Sequence, residues 1–86
     1  MRIEYTERFL RAYRSLQGDD VRMVEKALRK LAADPRYPGL RVKKMQGQQD
    51  VWEARASESL RLTFEMHGDV LLLRNVGAHD DTLSNP

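Results

Sequence analysis

The chain has 86 residues, of which 41% are hydrophobic and 33% are charged. This length and composition suit one folded domain with a small core and exclude a disordered chain. The sequence contains no cysteine, which excludes disulfides, thiolate metal sites and a cysteine nucleophile. Because it shows neither a signal-peptide pattern nor an apolar run that could span a membrane, we expect a soluble, cytoplasmic protein whose single domain covers residues 1–86.

The net charge of +2 hides an asymmetry between the two parts of the chain. Residues 1–50 carry 12 Lys and Arg against 7 Asp and Glu, whereas residues 51–86 carry 3 against 6. Basic residues on helix faces are most often plain solvated surface. A rim of such residues can also attract the phosphates of a nucleic acid. The sequence leaves both interpretations open for the N-terminal part.

The chain begins with a pattern typical of a strand followed by a helix. Ile3 and Tyr5 alternate with charged residues over Arg2–Tyr5, as in a strand. Thr6 is a favourable N-cap for a helix that we expect to end at Gly18. The apolar residues of this helix recur at helical spacing: Phe9, Leu10, Tyr13 and Leu16.

A second helix follows within about three residues, so the two helices should form an antiparallel hairpin. Asp19 and Asp20 are its predicted caps. It should end at Asp34-Pro35, because the residue before a proline is disfavoured in a helix. Its apolar stripe consists of Val21, Val24, Ala27, Leu28 and Leu31.

After the loop from Pro35 to Gly39 the apolar period changes from helical to alternating. We predict a turn at Gly47–Asp50 and short loops between the later strands. The predicted strands are Leu40–Met45, Val51–Ala56, Leu60–Met66 and Val70–Val76. The fold class is therefore α+β, in the order β-α-α-β-β-β-β, with a helical hairpin packed on one face of a mainly antiparallel sheet.

The alternation within two of these strands places Arg55 opposite Arg61. The apolar residues of both strands must face the helices, which determines how the strands can pair. A three-residue loop then pairs Ala56 with Leu60 and sets the two arginines directly across from each other on the face away from the helices. Like charges in that position are unfavourable by about a few tenths of a kcal/mol.

Two arrangements of neighbouring charges would offset this repulsion. Glu53, Glu58 and Glu65 could neutralise the arginines in a surface network. Alternatively a phosphate could lie between the arginines, because paired guanidinium groups suit bidentate recognition of an oxyanion. Both explanations remain open at this point.

Two further residues extend this candidate site. A two-residue turn at His67-Gly68 would place Arg74 across from Arg61 on the same face. His79 follows Gly77 just past the last strand, and it is the one good candidate for proton transfer near neutral pH. A lone histidine after a strand is more often an ordinary surface residue.

Metal and cofactor chemistry have little support in the sequence. His79, Asp80 and Asp81 are neighbours without a distant fourth ligand, which is a weak metal signal. There is also no glycine-rich phosphate loop and no nucleophilic triad. We therefore expect neither a metal nor a cofactor.

The second half of the chain carries a set of short motifs in a recognisable order. They are Trp52 and Arg55 on one strand, then Arg61-Leu62-Thr63-Phe64, Gly68 in a turn, and Val76-Gly77-Ala78-His79 after an apolar strand. Together with the two preceding helices, this order resembles the RelE/ParE superfamily, the small toxins of bacterial toxin–antitoxin modules. The resemblance covers essentially the whole chain and implies the same α+β fold.

The resemblance also implies a function. RelE-like members cleave mRNA on the ribosome, with the 2′-hydroxyl of the RNA attacking the adjacent phosphate and no metal required, and an antitoxin neutralises them. It implies that Arg61 holds the scissile phosphate, that Arg55 flanks it, that His79 serves as acid or phosphate clamp and that Glu53 is a possible base. Arg74, Lys43 and Lys44 complete the predicted phosphate-binding set.

The sequence departs from the family pattern at three points. The tyrosine that active relatives carry shortly after the V-G-x-[HR] motif is replaced by Asp80-Asp81-Thr82-Leu83. Glu53 stands where RelE-like members carry a lysine, and a basic C-terminal tail is missing. Two alternatives therefore stay open: a ParE-like inhibitor of DNA gyrase, and a non-catalytic RelE-fold module that binds nucleic acid or protein, such as a domain joined to a helicase.

Overall fold

The backbone folds into five strands and three α-helices within residues 1–47 and 50–86, the part of the chain that the computed structural model describes. Gln48 and Gln49, in the middle of the predicted turn, lie outside the described residues. The elements are β1 (Arg2–Tyr5), α1 (Glu7–Arg14), α2 (Gly18–Ala33), a 3₁₀ turn (Pro38–Leu40), β2 (Lys43–Lys44), β3 (Trp52–Arg55), β4 (Leu60–His67), β5 (Val70–Ala78) and α3 (His79–Ser84).

The strands form one sheet in the order β1-β5-β4-β3-β2. Strand β1 runs parallel to β5, and the other neighbouring pairs are antiparallel. Helices α1 and α2 lie between β1 and β2 in the sequence and pack on one face of this sheet. The predicted α+β class with a mainly antiparallel sheet is confirmed.

Thr6 begins α1 as predicted. Its hydroxyl oxygen accepts a hydrogen bond from the backbone N–H of Phe9 at 3.0 Å and donates to the carbonyl of Leu73 at 3.0 Å. One side chain therefore satisfies a free N–H of the first helical turn and also fastens the start of the helix to β5.

The predicted boundary between the two helices is wrong. Helix α1 ends at Arg14, where the Ser15 hydroxyl donates to the carbonyl of Ala12 at 2.7 Å and competes with the helical hydrogen bonds. Gly18 is the first residue of α2 and not the end of α1. The two predicted caps, Asp19 and Asp20, lie instead in the first turn of α2, where negative charge is favourable beside the helix N-terminus.

Helix α2 ends at Ala33, as predicted from Asp34-Pro35. The strand predicted over Leu40–Met45 is mostly wrong, since only Lys43 and Lys44 form a strand. Leu40 closes the 3₁₀ turn with its side chain buried, and Arg41 has a φ of 48°. That left-handed conformation is incompatible with an extended strand at this position.

The hydrophobic core lies between the two long helices and one face of the sheet. Ala54 on β3 and Leu62 and Phe64 on β4 are fully buried in it, so the predicted facing of these two strands is confirmed. The other buried members of the core are Phe9, Val24, Ala27, Leu28, Leu31, Leu40, Leu60, Leu71, Leu73 and Val76.

The third helix was not predicted, and it covers part of the opposite face of the sheet. Helix α3 packs against β4 and β5. Thr82 on this helix is buried, and Thr63 on the opposite face of β4 is buried beneath the chain end, where its hydroxyl donates to the Pro86 carbonyl at 3.2 Å. The face that carries the arginines is therefore open only in part. No helix of the described residues is long and apolar enough to cross a membrane.

Candidate functional site

Arg55 on β3 lies directly across from Arg61 on β4, as predicted. The connecting loop has three residues, Ser57 to Ser59, and is closed by a hydrogen bond from the backbone N–H of Ala56 to the Leu60 carbonyl at 3.0 Å. Both arginine side chains are partly exposed. The two positive charges therefore share one end of the sheet, on the face away from the helical hairpin.

The Arg61 side chain is held by the loop that precedes it. Its Nη1 donates to the carbonyl oxygens of Ser57 at 2.8 Å, Glu58 at 3.2 Å and Leu60 at 3.0 Å. Among the described residues, Nε and Nη2 have no protein partner. The Nε–Nη2 edge of a guanidinium is one of the edges that binds an oxyanion in a bidentate manner. Arg61 is thus anchored at one nitrogen and open at the opposite edge.

Two of the three carboxylates that could have neutralised this pair are engaged elsewhere, and the third, Glu58, is exposed in the loop. Glu65 forms ion pairs with Arg74 and His67, and Glu53 lies 3.9 Å from Nζ of Lys43. Within the described ranges, neither Arg55 nor Arg61 has a carboxylate oxygen within 4.0 Å. The direct ion pairs that the first explanation calls for are therefore not formed at Arg55 or Arg61 among the described residues.

Glu65 is the best-paired carboxylate on this face. The hydrogen bond from His67, whose Nε2 lies 2.7 Å from Oε1, lowers the pKa of Glu65 most, and the hydrogen bond from Arg74 lowers that pKa further. Its charge is therefore matched by its own neighbours, at the end of the sheet away from Arg61.

The predicted position of Arg74 is wrong. The β4–β5 turn has Gly68 and Asp69 at its tip, and a bulge after Thr63 adds one residue to β5, so Arg61 pairs with Gly77. The Arg74 side chain instead forms an ion pair with Glu65, and its Nε donates to the Pro86 carbonyl at 3.0 Å. The structure does not bring Arg74 together with Arg61.

His79 lies at the same end of the sheet as the arginine pair. It is the first residue of α3, and its backbone N–H donates to the Ser59 carbonyl at 2.8 Å. The loop that holds the Arg61 side chain therefore also holds the His79 backbone. The ring is half exposed, with Nδ1 2.8 Å from Oδ1 of Asp80, and Nε2 has no hydrogen-bond partner among the described residues.

The remaining predicted residues divide between the two faces. Lys43 pairs with Glu53 across β2 and β3, so both lie on the arginine face. Lys44 pairs with Trp52 and therefore lies on the face of the helices. Of the predicted set, one face combines Arg55, Arg61, Glu53 and Lys43, with His79 at its edge. Among the described side chains, no group of three or more His, Asp or Glu residues is arranged to hold a metal ion.

Solved structures share this architecture over nearly the whole chain. YafQ from E. coli strain BL21(DE3) has a TM-score of 0.80 and 16% identity, covering 95% of this chain and 98% of its own. The toxin of the intact E. coli RelBE toxin–antitoxin complex has a TM-score of 0.71 and 22% identity, covering 91% and 95%. The fold is RelE-like.

A metal-bound toxin from Helicobacter pylori is similar as well, with a TM-score of 0.78 and 23% identity over 94% of this chain and 97% of its own. No protein-family model and no curated protein sequence matches this chain. The similarity therefore lies in the arrangement of the backbone.

The RelE-like fold also forms a small basic cavity that the sequence analysis missed. It has a volume of about 220 Å³ and lies between α2 and the end of β3. Lys26 and Lys30 contribute to it from the helix and Arg55 from the strand. The two lysines are spaced four residues apart, which indicates a shared helix face. That spacing alone could not show that the face meets Arg55.

Proposed function

We propose that this chain is a RelE-like toxin, an endoribonuclease that cleaves ribosome-bound mRNA without a metal ion and is neutralised by a cognate antitoxin in the cytoplasm. The observation that carries the proposal is the pair of Arg55 and Arg61, opposed on one face and without carboxylate partners among the described residues. Two such cations side by side suit a phosphate group.

The reaction is an internal transfer at phosphorus. The 2′-hydroxyl loses its proton and attacks the adjacent phosphorus, the bond to the 5′-oxygen breaks, and that oxygen takes up a proton. The products are a 2′,3′-cyclic phosphate and a free 5′-hydroxyl. Negative charge increases on the phosphoryl oxygens in the transition state, so cations held in place beforehand stabilise the transition state more than the bound RNA.

Arg61 fits the role of the main phosphate ligand. Its Nη1 is already satisfied by three carbonyl oxygens, so the guanidinium needs little rearrangement when RNA binds. Arg55 supplies the second positive charge from the neighbouring strand.

Two residues at the edge of this site have side chains suited to proton transfer. A protonated His79 would donate from Nε2 to the leaving 5′-oxygen, with Nδ1 kept in orientation by Asp80. Glu53 would accept the proton of the 2′-hydroxyl, and Nζ of Lys43 lies 3.9 Å from its carboxylate.

An antitoxin has a suitable surface on the helical side of the molecule. A groove of about 480 Å³ runs between α1, α2 and β1, with Tyr5, Leu10, Tyr13 and Leu28 in its lining. Tyr5 is 45% exposed, so the groove presents part of an aromatic ring to a partner. An amphipathic antitoxin helix would cover this groove, as helices do in hydrophobic grooves of other proteins. The RelBE complex shows that one RelE-fold toxin is bound by an antitoxin.

The test is the induction of wild type, Arg61→Ala and His79→Ala in cells, followed by mapping of mRNA 5′ ends. We expect codon-phased cuts with the wild type that disappear in both variants. Arg11→Ala is the matched control, since it removes an equally charged, exposed residue from α1 and should leave the cuts unchanged. All variants should remain folded by circular dichroism, because Arg61 and His79 lie outside the core.

Two other results would contradict the proposal. Growth arrest with DNA-damage signalling and intact mRNA would indicate a gyrase inhibitor of the ParE type. The absence of both growth arrest and mRNA cleavage would indicate a binding module without catalysis.

A further inference from the structure

The basic cavity between α2 and β3 carries three positive groups. Lys26 and Lys30 lie one helical turn apart, and Arg55 reaches the cavity from the end of β3. The other lining residues in the described part of the chain are apolar or glycine: Met23, Ala27, Gly39, Leu40 and Ala56. Among the described residues, none of the three cations has a carboxylate within 4.0 Å. The cavity is therefore lined by three basic residues without an ion-pair partner in the described part of the chain, and its other lining residues are apolar or glycine.

Lys30 is held in this arrangement by the loop after α2. Its Nζ lies 4.6 Å from the centre of the Tyr37 ring, a cation–π contact. The ring in turn lies close to the backbone of Gly39, where an added Cβ would be 3.2 Å from Cε1 of Tyr37. The ammonium is thus positioned by packing and not only by the exposed helix surface.

Arg55 connects this cavity with the arginine pair. It is the register partner of Arg61, and it lies past the residues of β3 that pair with β2. At this uncovered strand edge it also lines the cavity beside α2. A ligand that binds Arg61 and continues past Arg55 would therefore meet Lys30 and Lys26. Single-stranded nucleic acids carry phosphates at regular intervals and follow positively charged grooves of this kind.

We propose that the cavity binds the backbone phosphate of a nucleotide beside the cleaved bond, on the single-stranded RNA substrate. The inference rests on the proposed function, because it takes Arg61 as the ligand of the scissile phosphate. The RNA backbone then passes from Arg61 over Arg55 to the two lysines, and its ribose contacts the apolar residues of the lining. The cavity would contribute affinity and position the RNA strand, and it would take no part in the bond changes.

The test measures the binding of a fluorescein-labelled RNA oligonucleotide in which every nucleotide is 2′-O-methylated. This RNA has no attacking hydroxyl, so binding is measured without cleavage. Fluorescence anisotropy between 50 and 200 mM salt gives both the affinity and its salt dependence. The double variant Lys26→Ala/Lys30→Ala is compared with Arg11→Ala/Arg14→Ala, which removes the same charge from exposed positions on α1.

We expect the lysine variant to bind the RNA roughly tenfold more weakly, as for the loss of a charged hydrogen bond. The slope of log affinity against log salt should become shallower by about 0.7, the value for one phosphate contact on a single strand. Lys26→Arg/Lys30→Arg should keep the slope, because it keeps both charges. The control pair on α1 should also keep it.

Three results would overturn the inference. An unchanged slope in the lysine variant would show that no phosphate is bound in the cavity. An equal loss of RNA affinity in the Arg11→Ala/Arg14→Ala control would show that binding depends only on the total charge of the protein. Normal RNA binding together with lost binding of a labelled poly-glutamate peptide would assign the cavity to an acidic protein segment.

The outcome is separable from that of the proposed function. If mRNA cleavage fails in cells but RNA binding by the lysine variant depends less steeply on salt, the cavity is an RNA site on a molecule without catalysis. If cleavage depends on Arg61 and the slope does not change, the proposed function stands and the inference about the cavity is wrong.

Discussion

Individual side chains on the open face of the sheet differ in how their charges are matched. Arg61 is anchored by carbonyl oxygens alone, whereas Arg74 is paired with a carboxylate. Carbonyl oxygens are dipoles and do not neutralise a cation, so Arg61 retains its full charge for a ligand. Arg74 is neutralised by Glu65. Arginines of the same face are therefore chemically unequal, although they look alike in the sequence.

The pairing of Glu65 predicts how stability depends on pH. Because its pKa is lowered in the folded protein, its carboxylate stabilises the fold above the unfolded value of about 4.3, and this contribution is lost as the pH falls through the folded pKa. We expect Glu65→Gln to lower the urea midpoint at pH 6, and the difference from wild type to shrink as the pH falls through the lowered pKa of Glu65. Glu58→Gln, at an exposed loop position, should show no such pH-dependent difference. A Glu65→Gln difference that stayed constant across this range would argue against the ion pairs.

Strand β5 and helix α3 approach each other closely at Gly77. Gly77 has a φ of 155°, and a Cβ at this position would lie 3.0 Å from Oγ1 of Thr82. The missing side chain allows α3 to lie flat against the sheet just after the strand ends. This contact also places His79 where its backbone reaches the loop that holds Arg61.

Gly77→Ala should therefore destabilise the protein by about 1–3 kcal/mol, through backbone strain and the contact with Thr82. Thr82→Ala should relieve part of that loss, and urea denaturation of the two single variants and the double variant would measure the coupling. Gly68→Ala is the control, because its φ of 62° is strained but no atom lies within 4 Å of the added Cβ. Its cost should be independent of Thr82. Additive effects of Gly77→Ala and Thr82→Ala would mean that α3 does not pack on Gly77.

At the scale of the whole molecule, the layers of helices and sheet determine which part of the sheet surface stays accessible. The long helices cover one face of the sheet, and α3 covers the middle of the other. The end of the second face with Arg55 and Arg61 remains partly accessible, next to the basic cavity beside α2. The fold thus concentrates positive charge at one end of a domain whose net charge is only +2.

A chain of this size should have a stability of roughly 4–13 kcal/mol, so loss of one large core side chain should be severe. Phe64 is fully buried on β4 between β3 and β5. We expect Phe64→Ala to cost about 3–5 kcal/mol and Phe64→Leu less than about 1.5 kcal/mol, as measured by urea unfolding. A loss below about 1 kcal/mol for Phe64→Ala would show that the core is not centred on this strand.

Features that depend on local patterns could be predicted from the sequence. The Thr6 cap, the end of α2 before Pro35 and the opposition of Arg55 and Arg61 all follow from rules that act within a few residues. Side chains alternate strictly along a strand, so a short loop and two apolar faces are sufficient to pair the arginines. The order of elements and the resemblance to RelE-like toxins rest on the same local patterns.

Other features were decided only by contacts between distant parts of the chain. The position of the β4–β5 turn and the bulge after Thr63 together moved Arg74 away from Arg61, and a bulge leaves no reliable trace in the alternation of side chains. The six residues of α3 are too few to form a stable helix by themselves. Their helix is stabilised by packing against the sheet. Arg55 and Arg61 were already opposed by strand parity. Tertiary packing then paired Glu53 and Glu65 with other cations, and it placed Lys26 and Lys30 of α2 at the cavity that Arg55 also lines.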